Sequence, residues 1–62
     1  MTEHKIWEVF RTTFPEWAES SVRYFRDGPN AIRIDMGKKF GWLIFECYGT
    51  GNWRLRTDKF LD

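Results

Sequence analysis

The residues that could do chemistry are few, and their spacing does not bring them together. The chain has one histidine, His4, and one cysteine, Cys47. His4 precedes Glu8 by one helical turn, which would put both on one helix face, but a metal site needs a third and usually a fourth ligand, and none is apparent. His4 is expected as an exposed helix residue. Cys47 could attack an electrophile only as a thiolate, and it stands in the most apolar run of the chain, where a thiol packs as a small apolar group. Ser20 and Ser21 sit in no Gly-x-Ser-x-Gly turn and read as solvated turn or strand-start residues. Asp35 and Glu46 share a predicted sheet face, the arrangement of paired-carboxylate hydrolysis, but Arg33 and Arg56 are placed beside them, so ion-paired surface acids are expected instead. No catalytic residue, metal ligand or cofactor is expected, and the chain reads as non-enzymatic.

Two further motifs have structural explanations. Gly49-Thr50-Gly51-Asn52 has the glycines of a phosphate cradle, but that cradle must lead into a helix N-terminus. Here Trp53-Arg54-Leu55-Arg56 alternates as a strand, so a hairpin turn is expected. Lys38-Lys39 reads as a solvated turn that discourages edge-to-edge sheet pairing.

With 62 residues, of which four are Trp, six Phe and two Tyr, the chain has the size of one small domain spanning 1–62 with an aromatic-heavy core. Its ten basic and nine acidic side chains give a formal charge of +1, so no global field draws nucleic acid or an anionic membrane. A lone cysteine fits a reducing compartment, and a cytoplasmic location is expected. Glu3, His4, Lys5 and Glu8 interrupt the N-terminal apolar residues, which argues against a signal peptide, and no apolar run is long enough to span a bilayer.

The elements are organised around Gly41-Trp42-Leu43-Ile44-Phe45-Glu46-Cys47-Tyr48, a β-branched and aromatic run bounded by glycines and expected as the central strand. Ahead of it, Thr2 caps a helix predicted over Glu3 to Thr13, with Ile6, Trp7, Phe10 and Phe14 as its apolar stripe. Pro15 ends that helix and can open a short turn through Glu16 to Glu19. Ser20 to Arg26 fits either a helix or a strand; the turn signal Asp27-Gly28-Pro29-Asn30 favours a strand. The length of that loop leaves open whether Val22 and Tyr24, or Phe25, face the core. Ala31 to Met36 alternates, and pairing Ile34 with Leu43 and Ile32 with Phe45 aligns the apolar residues. A loop of Thr50 to Asn52 would then place Cys47 opposite Leu55, Glu46 opposite Arg56 and Tyr48 opposite Arg54. Thr57-Asp58 can cap a final helical turn carrying Phe60 and Leu61.

The predicted fold is α+β, an N-terminal helix packed on a four-stranded antiparallel meander in two layers, with a short helical turn at the C-terminus. The helix covers Ile32, Ile34, Met36, Leu43, Phe45, Cys47, Trp53 and Leu55. The opposite face displays Arg33, Trp42, Ile44, Tyr48, Arg54 and Arg56, with Asp35 and Glu46 among them. Trp, Tyr and Arg are the types enriched at binding hot spots, so this face is the candidate site. An unidentified protein partner or a homodimer is expected there, ahead of single-stranded nucleic acid stacked on Trp42 and Tyr48; stacked arginines simply covering the rings is the bland alternative. No motif marks a known family, although the size and layout are compatible with small accessory proteins of phages and mobile elements.

Overall fold

A computed structural model describes residues 2–49 and 51–57. Helix α1 spans Glu3–Thr13, and its first turn is capped by Thr2, whose Oγ1 accepts the Lys5 N–H at 3.2 Å. The apolar stripe turns Ile6 and Phe10 fully inward. Pro15 then acts twice. It pushes Phe14 out of helical geometry, and it opens a second helix, α2, over Pro15–Ser20. This helix is longer than the turn expected over Glu16 to Glu19. Ser20 completes it and the Ser21 hydroxyl donates back to the Ala18 carbonyl at 2.7 Å, so the first strand starts at Arg23 rather than at Ser20.

Strands β1 (Arg23–Gly28), β2 (Ala31–Asp35), β3 (Trp42–Gly49) and β4 (Asn52–Thr57) form one antiparallel sheet in the order β1-β2-β3-β4. The α+β meander is therefore as predicted. So is the central register, with Ile32 opposite Phe45 and Ile34 opposite Leu43. At β1, Tyr24 lies opposite Ile34 and turns to the helix side, where it stacks on Trp7 at 4.7 Å. Phe25, opposite Arg33, points the other way.

The β3–β4 register differs from the expected one. Cys47 faces Trp53 rather than Leu55, Glu46 faces Arg54 rather than Arg56, and Tyr48 has no residue across from it. Two local features produce this. Asn52 is not part of the loop but pairs with Gly49, closing the hairpin one residue tighter, and Tyr48 is then the extra residue of a β-bulge. The tighter closure alone would swap the faces of β4; the bulge swaps them back. Leu55 and Trp53 stay on the helix side while Arg54 and Arg56 stay on the other. Gly49 and Gly51 have φ of +147° and +74°, values that disfavour a side chain at these two positions. The predicted C-terminal helical turn with Phe60 and Leu61 lies outside the described residues.

The core consists of Ile6, Phe10, Ile32, Ile34, Met36, Leu43, Phe45 and Cys47, flanked by Trp7, Val9, Phe14, Ala18, Tyr24 and Leu55. Phe45 is its hub. Its ring lies edge-on to Phe10 at 5.3 Å and to Phe14 at 6.4 Å, and 5.7 Å from Trp53. Among the described residues no helix is long and apolar enough to cross a membrane. Truncating the hub removes contacts to both helix and sheet, so Phe45→Ala is expected to lower unfolding free energy by about 3–5 kcal/mol in urea melts. A loss below about 1 kcal/mol would contradict its central place.

Candidate binding face

The groups considered for chemistry stay apart. His4 Nε2 lies 3.7 Å from Glu8 Oε2, but Glu8 is held by Arg11 at 2.6 Å. The Arg11 hydrogen bond is the main reason the exposed Glu8 carboxyl sits below its ordinary pKa. No cluster of His, Cys, Asp and Glu among the described residues could hold a metal ion. Cys47 is buried under the helix with its Sγ 3.6 Å from the Gly49 carbonyl oxygen. After the glycine-rich turn comes β4, not a helix.

What the fold does assemble is the sheet face away from α1. β3 carries its centre. Trp42 is half-buried, Ile44 is only 7 % exposed and forms the floor, and Tyr48 is 55 % exposed. From β2, Arg33 lays its guanidinium over the Trp42 ring at 5.7 Å while its Nε faces Asp27 at 3.6 Å. From β1, Arg23 stands over Phe25 at 5.5 Å and its Nε lies 3.5 Å from Asp35 Oδ2. The other Asp35 oxygen accepts the Gly37 N–H at 2.9 Å, which ties this carboxylate to the β2–β3 turn. Phe25 and Trp42 approach to 6.2 Å, making a ring pair that bridges from the edge strand toward the middle of the sheet.

Glu46 organises the other half. Its Oε1 faces Arg56 Nε at 3.6 Å, on the diagonal rather than straight across, and its Oε2 accepts the Tyr48 hydroxyl at 3.2 Å. Only Oε2 is hydrogen-bonded; the buried Oε1 has no hydrogen-bond partner among the described residues and meets Arg56 at ion-pair distance alone. Arg54, directly opposite Glu46 on β4, is exposed and forms no ion pair with a described residue. The arginine stacking expected over both rings occurs at Trp42, whereas Tyr48 is held by Glu46 instead.

All of Arg33, Trp42, Ile44, Tyr48, Arg54 and Arg56 therefore fall on one face, with Ile44 beneath the others. Sequence reasoning missed Arg23, Phe25 and Asp27, which join them from β1. The signal was present in the alternation of Arg23, Phe25 and Asp27 against Tyr24, but its phase depended on the loop length and on the register shift between Arg26 and Gly28, neither of which residue types dictate. With this geometry in view, the chain was compared with protein-family models, curated proteins and solved structures, and none matches.

The Glu8 geometry makes a direct pH prediction. A carboxyl whose pKa is lowered on folding adds stability above its unfolded pKa and loses that contribution as pH falls through the lowered folded value. In an NMR titration Glu8 should have a midpoint below that of an unperturbed glutamate, and Arg11→Ala should raise it. An unchanged midpoint in that variant would show that Arg11 is not the cause.

Proposed function

We propose that this chain is a non-catalytic binding domain that recognises a protein partner, with a second copy as the homotypic case, through the open sheet face. The observation that carries this reading is the Phe25–Trp42 ring pair, set among arginines and left partly exposed, with Phe25 at 48 %. A sheet face built only for solvent alternates to polar side chains. Here the rings form an apolar centre, and the ion pairs around them form a polar rim, the usual anatomy of a protein interface. A cytoplasmic location belongs to this reading, resting on the lone cysteine.

Single-stranded nucleic acid is the second reading, and Arg54 is what favours it. A cation with no described acid partner, on the same face as a ring platform, suits a phosphate beside a stacked base. Asp27, Asp35 and Glu46 weigh against it, because they neutralise most of the positive charge on that face and would repel a phosphate backbone.

Two measurements separate these readings. In an NMR titration with pooled short oligonucleotides, the protein-binding reading expects no salt-sensitive shifts at the Trp42 indole, Tyr48, Arg54 or Arg56; shifts that disappear as salt is raised would establish the nucleic-acid reading. With the wild-type chain as bait, Trp42→Ala and Arg54→Ala should each weaken partner capture by roughly tenfold, about 1.4 kcal/mol, while amide spectra remain those of a folded chain. If Trp42→Ala unfolds the chain, Trp42 is part of the core and the face assignment fails.

A further inference from the structure

The two edge strands of the sheet differ in charge. Among the described residues the order β1-β2-β3-β4 gives β1 and β4 a neighbouring strand on one side only. β4 carries Arg54 and Arg56 and no acid, so two copies of it repel. β1 reads Arg23-Tyr24-Phe25-Arg26-Asp27-Gly28 and is exposed at Arg23, Phe25, Arg26 and Asp27. Arginines on an edge normally discourage strand pairing. Here they do so only against strands that lack a matching order of charges, because β1 run antiparallel against itself is self-complementary.

The backbone decides which registers are open to it. The Cys47 N–H donates to the Asn30 carbonyl and the Met36 N–H to the Gly41 carbonyl, each at 2.8 Å, so even-numbered residues along β2 bond toward β3 and Ala31, Arg33 and Asp35 bond toward β1. The Val22 N–H on the Asp35 carbonyl, also 2.8 Å, agrees. Arg23 and Phe25, opposite Asp35 and Arg33, therefore turn their main-chain groups inward, and Tyr24 and Arg26 direct theirs to the outer edge. A two-fold axis through Phe25, the commonest symmetry of homo-oligomers, fits this phase. It sets Tyr24 of each copy against Arg26 of the other as a hydrogen-bonded pair and brings the two Phe25 rings together as the closer, non-hydrogen-bonded pair. On that same face Arg23 of each copy lies straight across from Asp27 of the other. An axis through Tyr24 would set Arg23 against Phe25, and one through Arg26 would set Phe25 against Asp27, so only the Phe25 axis pairs the charges.

We infer that two copies of this chain associate edge to edge through β1, antiparallel and centred on Phe25, to make one continuous sheet with four strands from each copy. Main-chain hydrogen bonds between the edges supply the contact, and the order of charges along β1 restricts it to a second copy. Each Arg23 then stands between Asp35 of its own copy, at 3.5 Å, and Asp27 of the other. The two Phe25–Trp42 ring pairs join in a single row. Both helices stay on one side of the joined sheet, because opposite residues in a strand pair share a face. The open face is extended by this contact, not covered, so the inference does not depend on the recognition proposed for that face.

Sedimentation equilibrium on the full chain from about 10 µM to about 1 mM tests this. The apparent mass should rise toward that of a dimer, and hydrogen exchange of the Tyr24 amide should slow over the same range. Arg23→Asp alone and Asp27→Arg alone should each weaken association by roughly tenfold or more, since each sets like charges opposite one another. Mixed in equal amounts, the two variants should associate as the wild type does, because the mixed pair restores both contacts between opposite charges. Arg54→Ala should dimerise as the wild type does, whatever it does to partner capture. A wild-type chain still monomeric at about 1 mM would overturn the inference. So would a wild-type dimer in which the Tyr24 amide exchanges as fast as in the monomer, a reading that needs no variant to fold. A mixture no tighter than either variant by itself would overturn the Phe25 register, and loss of the dimer in Arg54→Ala would overturn the edge contact in favour of self-association through the open face.

Discussion

Phe45 meets Phe10 edge-on at 5.3 Å, and because a chain of 62 residues has little else to bury, the placement of the other elements follows from that contact. Phe10 fixes which side of α1 faces the sheet, and so fixes Ile6 beside it and Phe14 at the helix end. Phe14 in turn lies edge-on to Trp53 at 5.1 Å, which holds the edge strand β4 against the end of the helix. At the other edge, Trp7 does the same for β1 by stacking on Tyr24. The outer strands are therefore each clamped by a helix aromatic, as is the inner strand β3 through Phe10 and Phe14 on Phe45, while aliphatic Ile32 and Ile34 carry β2 in the core. Small sheets need such a cover, since strands without an apolar layer are marginal in water.

Covering one face leaves the other to be stabilised by what the strands themselves carry. Exposed ion pairs such as Arg23–Asp35 and Arg56–Glu46 contribute at most about 1 kcal/mol each, too little to hold a sheet together. Their larger effect is geometric. Arg33 and Arg56 flank Ile44 from the two neighbouring strands, and Ile44 is only 7 % exposed on the nominally open side. The same arrangement leaves the rings of Phe25 and Tyr48 about half open. A face that closes over its aliphatic residue but not over its aromatics has been stabilised only as far as its own side chains reach.

The strands whose partners are adjacent in sequence and apolar on one side were legible. Ile32, Ile34, Leu43 and Phe45 admit only one alignment that puts them together, and a slip of one residue would place Arg33 or Glu46 in the core. The ends of elements were less so. α2 extends to Ser20 because Pro15 pre-sets its first turn and the Ser21 hydroxyl donates to the Ala18 carbonyl in its last turn, and neither effect appears as hydrophobic periodicity. β1 could have presented either Tyr24 or Phe25 inward, since both are large aromatics; the two-residue loop Pro29-Asn30 alone would turn Phe25 inward, and the register shift between Arg26 and Gly28 turns Tyr24 inward instead. That ambiguity cost the candidate face three of its members, Arg23, Phe25 and Asp27.

The β3–β4 hairpin shows why the residues of a face can be predicted correctly when their pairing is not. Alternation constrains only parity, so any two shifts that each move the register by one residue cancel in the face assignment while changing every partner. The pairing of Asn52 with Gly49 is one such shift and the bulge at Tyr48 is the other. Their combined effect is electrostatic. In the expected register Glu46 would have Arg56 straight across; in the structure it has Arg54 across, yet reaches Arg56 on the diagonal and spends its second oxygen on the Tyr48 hydroxyl. The bulge residue thus takes an acceptor at the carboxylate that Arg54 directly faces. Arg54 has no ion pair with a described residue although this register sets it straight across from Glu46.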